Sequence, residues 1–132
     1  MRVTSQENVE VARRWVELFN TRDDVDEFLS LHDSEVELQT PGGPRLHGHD
    51  QLRAWFGKEY ENVQTRLLPE RFLAGDDTVV GLGKTEVRWI ETGEVAREFE
   101  SAGAYWFRGG KILKWQPFET HGEALEATGL TE

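Results

Sequence analysis

The sequence predicts an α+β fold, with helices on one face of a curved, mostly antiparallel sheet. Apolar residues recur at helical spacing up to Tyr60, and the period falls to two from Gln64 onward. Residues 98–118 are rich in aromatic and branched side chains, which suit a half-buried pleated surface. They are predicted to form two strands joined at Gly109-Gly110, because two glycines accept the positive φ of a tight hairpin turn. We place this hairpin at the centre of the sheet.

The first part of the chain predicts three helices with one early strand among them. Thr4 and Glu7 have the spacing of a capping box and open the first helix. Asp23 or Asp24 caps a short second helix, and residues 35–39 alternate as a strand does. A third helix follows Gly48. The apolar faces of the first and third helices carry Trp15, Phe19, Leu52, Trp55, Phe56 and Tyr60.

The second part predicts consecutive antiparallel strands and a short C-terminal helix. Pro69 interrupts the first of these strands, which indicates a sheet edge or a β-bulge. Residues 101–104 are all small, and either helix packing or a ligand cavity accounts for such a run equally well. Thr120 and Glu123 form a second capping box, and Gly129 is expected to end the helix that they open.

Composition limits the function. The chain has 132 residues, which we expect to form a single domain over 1–132, and a formal net charge of −10. That charge argues against nucleic acid and anionic membranes as partners, because both need clustered Lys and Arg. No apolar run is long enough for a membrane span, and we recognise no signal peptide. The absence of cysteine excludes disulfides and, with the rest, suggests a cytoplasmic protein.

Several short motifs, which together span nearly the whole chain, carry a resemblance to a known fold family. They are Trp15…Phe19-Asn20, Pro41-Gly42…Gly48, Gly75-Asp76-Asp77-Thr78-Val79-Val80, Gly110-Lys111-Ile112…Trp115 and residues 124–130. In their order and spacing the sequence resembles the nuclear transport factor 2-like superfamily, and within it the SnoaL-like proteins. The resemblance implies a cone: a strongly curved sheet, three N-terminal helices on one face, a short C-terminal helix, and a pocket at the open end. It also implies a homodimer formed through the sheet face. The alternating positions Tyr105/Phe107 and Ala104/Trp106 support the same expectation, because a sheet that is apolar on both faces needs cover on each, and the helices of one chain are expected to cover one.

The resemblance does not carry over the chemistry of the superfamily's known enzymes. In its ketosteroid isomerases the oxyanion-donating tyrosine would fall on Trp15 and the base on Leu38, which cannot take a proton. The second acid would fall on Ala102 or Gly103, neither of which can donate through its side chain. The acid/base aspartate of SnoaL-like cyclases is replaced by Gln116, which has no accessible pKa. Gln116 is then either a polar anchor for a ligand or an exposed strand residue.

Other candidate sites are weaker. His47-Gly48-His49, joined by His32 or His121, would need three imidazoles, or two imidazoles and a carboxylate, to hold a metal, and we expect no metal site. Glu119 and His121 are the weak catalytic candidates, although we expect them to belong to the cap of the last helix. Neither a phosphate loop nor a dinucleotide fingerprint is present, so we expect no cofactor.

The aromatic residues favour a small, mainly apolar molecule as the partner. In a cone fold, aromatic side chains of the first and third helices converge with those of the sheet. The predicted pocket is lined by Trp15, Phe19, Leu38, Trp55, Tyr60, Ala102, Gln116 and Phe118. The first alternative is a cyclase- or isomerase-type enzyme that uses other acid/base residues. The second alternative is an interaction module without a ligand.

Overall fold

The computed structural model describes residues 3–57 and 62–132. The helices in this part are α1 (Ser5–Thr21), α2 (Val25–Ser30), α3 (Gly48–Phe56) and α4 (His121–Thr128). The strands are β1 (His32–Gln39), β2 (Arg45–His47), β3 (Val63–Ala74), β4 (Thr78–Trp89), β5 (Val95–Arg108) and β6 (Lys111–Phe118). The predicted α+β order is confirmed. Within the described residues, no helix is long and apolar enough to cross a membrane.

The local signals that open and close the elements are confirmed. The Thr4 side chain accepts the backbone N–H of Glu7, whose own side chain accepts the backbone N–H of Thr4, which completes the capping box of α1. Thr120 caps α4 by accepting the backbone N–H of Glu123, which is one half of the predicted capping box, and the Glu123 carboxylate accepts from the Thr120 hydroxyl. Gly109 and Gly110 have φ of 58° and 82°, as the tight turn between β5 and β6 requires.

All six described strands form one sheet in the order β2-β1-β6-β5-β4-β3, in which only β1 and β6 run parallel. The hairpin of β5 and β6 lies in the middle of this order, as the sequence predicts. Strand β3 lies at the edge and is bulged between Pro69 and Arg71. The backbone of β3 at this bulge lies very close to Gly83 of β4. A Cβ at position 83 would be 2.2 Å from the Leu68 carbonyl oxygen, so a side chain does not fit at that position. Strand β2 was not predicted, since three residues beside a glycine turn carry no alternation of their own.

The two faces of the sheet carry separate apolar clusters. On the main face, side chains such as Val79, Tyr105 and Trp115 pack against α1, α2 and α3. On the other face, which we call the α4 face, a smaller cluster packs against Ala124 of α4. The sheet members of that smaller cluster are Val80, Leu82, Ala102 and Ala104. Because neighbouring residues of a strand point to opposite faces, each central strand contributes to both clusters.

This arrangement changes the argument for a homodimer. That argument assumed that a sheet apolar on both faces lacks cover for one of them. In the structure, α4 and the half-buried Leu130 cover apolar side chains of the second face. The homodimer therefore stays a prediction without that support. Light scattering that gives a single species of about 15 kDa, the mass of one chain, would contradict it.

Candidate functional site

An aromatic cluster fills the space between the main face of the sheet and the helices. Trp15 of α1 lies at its centre and is fully buried, with 0% of its surface exposed. Its ring stacks on Trp115 of β6 at a centroid distance of 4.7 Å and on Phe19 at 5.4 Å. Tyr105 of β5 meets it edge-on at 5.6 Å. These elements converge because α1 turns its apolar stripe towards the sheet, while Tyr105 and Trp115 are paired across two strands.

The central indole is held in place by a buried histidine. Trp15 donates its Nε1–H to Nε2 of His32 at 2.9 Å, and Nδ1 of His32 lies 2.7 Å from the carbonyl oxygen of Phe28. Since Nε2 accepts, Nδ1 carries the proton and donates it to that carbonyl. Burial lowers the pKa of His32 to about 4, so the ring is neutral near neutral pH. With both nitrogens engaged, His32 is an orienting group and not a free acid or base.

The buried indole N–H of Trp115 lies beside the hydroxyl of Tyr105, whose oxygen can accept a hydrogen bond. Burial raises the pKa of the Tyr105 phenol, and the Trp115 N–H beside it offsets part of that rise. A Cβ on Gly103 would lie 3.0 Å from Nε1. The Trp115 ring therefore packs directly on Gly103, where a side chain would press on Nε1.

The predicted pocket residues divide between the two faces of the sheet. Trp15, Phe19 and Leu38 are buried members of the aromatic cluster, and the half-buried Trp55 packs against it. Ala102 and Phe118 belong to the cluster on the α4 face. Gln116 pairs with Ala104 across the strands, which places it on that same face. Tyr60 lies outside the described residues.

The weak catalytic candidates lie apart from the aromatic cluster. His121 begins α4, where its Nε2–H donates to the Gly83 carbonyl oxygen at 2.8 Å and its backbone N–H donates to Glu100. It lines an open cleft of about 320 Å³ together with charged residues, among them Lys84 and Glu98. Glu119 is exposed. The structure therefore does not bring this pair into the aromatic cluster.

The histidines do not converge on a metal site. His47 is exposed beside Glu35, and His49 donates to the carbonyl oxygen of His32 at 3.1 Å. His121 lies on the Gly83 carbonyl, as described above. Among the residues that the structure describes, no three His, Asp or Glu side chains lie close enough to hold a metal ion.

The predicted pocket omits two side chains of the aromatic cluster and the histidine that is bonded to it. Trp115 and Tyr105 belong to the sheet aromatics that are expected to converge with those of the helices, but neither is among the predicted pocket residues, and His32 is considered only as a metal ligand. The alternation of β6 carried part of the signal, because Trp115 and Gln116 must point to opposite faces. The bond between His32 and Trp15 joins residues 17 positions apart and has no signature in either segment.

Solved structures share this fold at low sequence identity. A candidate polyketide cyclase from Xanthomonas campestris pv. campestris matches with a TM-score of 0.73 and 18% identity, over 90% of this chain and 94% of that one. An NTF2-like protein from Burkholderia xenovorans gives 0.71 and 22%, over 95% and 98%. A candidate ketosteroid isomerase from Kribbella flavida gives 0.67 and 16%, over 86% and 78%. At such identities the likeness shows an NTF2-like fold and nothing about activity.

The sequence comparisons agree with the fold. No curated protein sequence matches the chain significantly. The SnoaL-like domain family matches residues 12–115, which run from α1 to Trp115 of β6 and include the buried members of the aromatic cluster from Ala12 onward. The chain therefore belongs to the SnoaL-like domain family.

Proposed function

We propose that this protein binds a small, mainly apolar molecule within the aromatic cluster, and that it does so without acid/base catalysis. The observation that carries the proposal is the cluster itself. Phe19, Tyr105 and Trp115 pack around the central Trp15 with ring faces and edges. Apolar sites with a few well-placed polar groups are typical of small-molecule binding in proteins. Two structures of the same fold are named after candidate enzymes of polyketides and ketosteroids, which are small organic molecules.

The side chains argue against catalysis at this site. Among the buried side chains of the cluster itself, the titratable group is the Tyr105 phenol, whose pKa is raised by burial. The nearest titratable imidazole, His32, has both nitrogens engaged and a pKa of about 4. A general acid or base needs a free group with a pKa near the working pH. An enzyme that uses Glu119 or His121 would have to act elsewhere, on a substrate bound at the charged cleft beside α4.

One observation favours a second candidate, an interaction module that binds no small molecule. The centre of the cluster is filled in this structure, since Trp15, Leu38 and Trp115 are all at most 2% exposed. A ligand must therefore displace side chains in order to enter. A protein that works only through its surface has no such requirement, and the two candidates predict opposite results in a binding experiment.

Tetralin, a neutral bicyclic hydrocarbon, is a suitable probe for that experiment. We expect saturation transfer from the protein to tetralin in solution, together with a change in the fluorescence of the buried tryptophans. A Trp15→Phe variant should change the affinity, because it reshapes the centre of the cluster. Trp106→Phe is the matched control, since Trp106 packs against the cluster on the α4 face. If neither tetralin nor other neutral ring compounds bind, the small-molecule proposal is wrong and the interaction module is favoured.

A cytoplasmic location and a single domain over 1–132 complete the proposal. Both come from the sequence, and the assignment of the function does not depend on either. Fractionation of the source cells would test the first. Limited proteolysis that releases a stable fragment much shorter than the chain would contradict the second.

A further inference from the structure

The end of the β4–β5 hairpin, which we call the hairpin tip (residues 88–95), carries a group of exposed apolar side chains. Trp89 is 47% exposed, Ile90 57% and Val95 46%, and these are the exposed large apolar side chains among the residues that the structure describes. Single apolar residues scattered over a surface are ordinary, whereas a group of them at one place indicates contact with another molecule. The hairpin tip is therefore a candidate interaction surface.

One side of the hairpin tip forms an open groove of about 500 Å³. Its apolar side chains are Trp89 and Ile90. Val95 points to the opposite side of the hairpin, because it lies across the strands from Arg88 and not from Trp89. The remaining residues that line the groove are polar or charged: Asn62, Glu91, Thr92 and Glu94.

The two carboxylates of the groove carry charge that nothing nearby compensates. Glu91 and Glu94 are exposed, and neither forms an ion pair among the described residues. The neighbouring Arg88 does not neutralise them, because its guanidinium donates to Glu86 and to the Gly93 carbonyl oxygen. The groove thus combines an exposed indole and an isoleucine side chain with two uncompensated negative charges.

Backbone hydrogen bonds hold the hairpin tip in one shape. The N–H of Trp89 donates to the Glu94 carbonyl oxygen at 2.9 Å, and the N–H of Gly93 donates to the Trp89 carbonyl oxygen at 2.8 Å. The N–H of Ile90 donates at 2.9 Å to the carbonyl oxygen of Asn62, the residue before β3. A groove whose backbone is already ordered loses less conformational entropy when a partner binds.

We propose that the hairpin tip binds a segment of another protein in which a Lys or Arg side chain lies beside an apolar one. The cation lies over the indole of Trp89, within reach of the Glu91 and Glu94 carboxylates, and the apolar side chain packs on Ile90. This inference goes beyond the proposed function and does not depend on it, because the hairpin tip lies outside the aromatic cluster.

The charges of the groove argue against other occupants. In a symmetric dimer each hairpin tip would face its own copy, so that the same carboxylates would meet and repel. Nucleic acid and anionic membranes are repelled for the same reason. A basic partner, in contrast, is attracted both by the groove and by the formal net charge of −10 on the chain.

The experiment uses three end-blocked hexapeptides as probes. The first alternates leucine and lysine, the second replaces each lysine by glutamate, and the third replaces each leucine by serine. In a ¹H–¹⁵N spectrum, we expect the first peptide to shift the Trp89 indole resonance and the amides of residues 88–95 in a saturable way, and to bind more weakly as salt is added. The other two should bind there at least about tenfold more weakly, because each lacks one half of the match.

Variants separate the groove from the overall charge. Trp89→Ser should weaken binding of the leucine–lysine peptide at least about tenfold, and the exposure of Trp89 makes this a mild change for the fold. Glu94→Gln should weaken it about twofold to fivefold, the range of one exposed ion pair. Glu126→Gln is the matched control, since it removes the same charge from an exposed position of α4 and should have a smaller effect.

Three results would overturn the proposal. The first is equal weakening by Glu94→Gln and Glu126→Gln, or shifts spread over the whole acidic surface, because either shows attraction by net charge alone. The second is a set of shifts at the hairpin tip that grows with protein concentration in the absence of peptide, which indicates a contact between copies of this chain. The third is binding of neutral phosphatidylcholine vesicles through Trp89 by a protein that does not bind the peptide.

Discussion

Protonation of His32 should make the protein lose stability in mild acid, through a single buried ring. In the folded chain the pKa of His32 is about 4, against an ordinary value of 6.5 that applies when the chain is unfolded. Below pH 6.5 the unfolded state takes up a proton that the folded state refuses. The contribution of His32 to stability is therefore complete above pH 6.5, falls as the pH decreases, and is lost at about pH 4.

The size of the effect follows from the difference between the two pKa values. That difference corresponds to about 3 kcal/mol of unfolding free energy in full, since one pKa unit is worth about 1.4 kcal/mol. Between pH 7 and pH 4.5 we expect about 2–3 kcal/mol of it to disappear. Carboxylates also titrate in this range, so the His32 part must be isolated by comparison with a variant.

Urea unfolding of His32→Gln at several pH values provides that comparison. The variant should be less stable than the unaltered protein at pH 7, because Trp15 loses a well-placed acceptor and the Phe28 ring loses its neighbour. Its stability should also depend less on pH, so that the two proteins approach each other near pH 4.5. His47→Gln is the matched control, since His47 is exposed. Parallel stability curves for the unaltered protein and His32→Gln would refute the reasoning.

Three further substitutions and one control test the packing and the α4 cap. Trp15→Ala should cost about 3–5 kcal/mol in urea unfolding, because a fully buried indole leaves a large cavity; a much smaller cost would instead indicate an open pocket around it. Gly103→Ala should cost about 1–3 kcal/mol, because its Cβ would press on Trp115 Nε1. Gly122→Ala is its control and should be neutral or stabilising in thermal melts, since no atom lies within 4 Å of the new Cβ and the position is helical. Thr120→Ala should cost about 1 kcal/mol through loss of the α4 cap, and an unchanged melting temperature would contradict that role.

Local features of the chain could be predicted because their causes are local. A capping box needs only residues three apart, as Thr4 and Glu7 are, and a tight hairpin turn needs only Gly109 and Gly110. The period of the apolar residues was enough to predict the main helices and strands and the α+β class. The break at Pro69 was likewise visible, because proline cannot donate to a strand ladder.

The site needed the tertiary structure, because its determinants are pairings between distant segments. Alternation showed that Trp115 and Gln116 face opposite ways, but only the register with β5 and the packing of α1 decide which face is covered by which helices. The run of small residues was ambiguous for the same reason: Ala102 and Ala104 lie under α4, whereas Gly103 lies under the Trp115 ring. The spacing of the apolar residues along the strands thus determined that the sheet has two apolar faces. The placement of the Trp115 indole N–H beside the Tyr105 hydroxyl and Gly103 became visible only when the strands were paired, since it joins residues of two different strands.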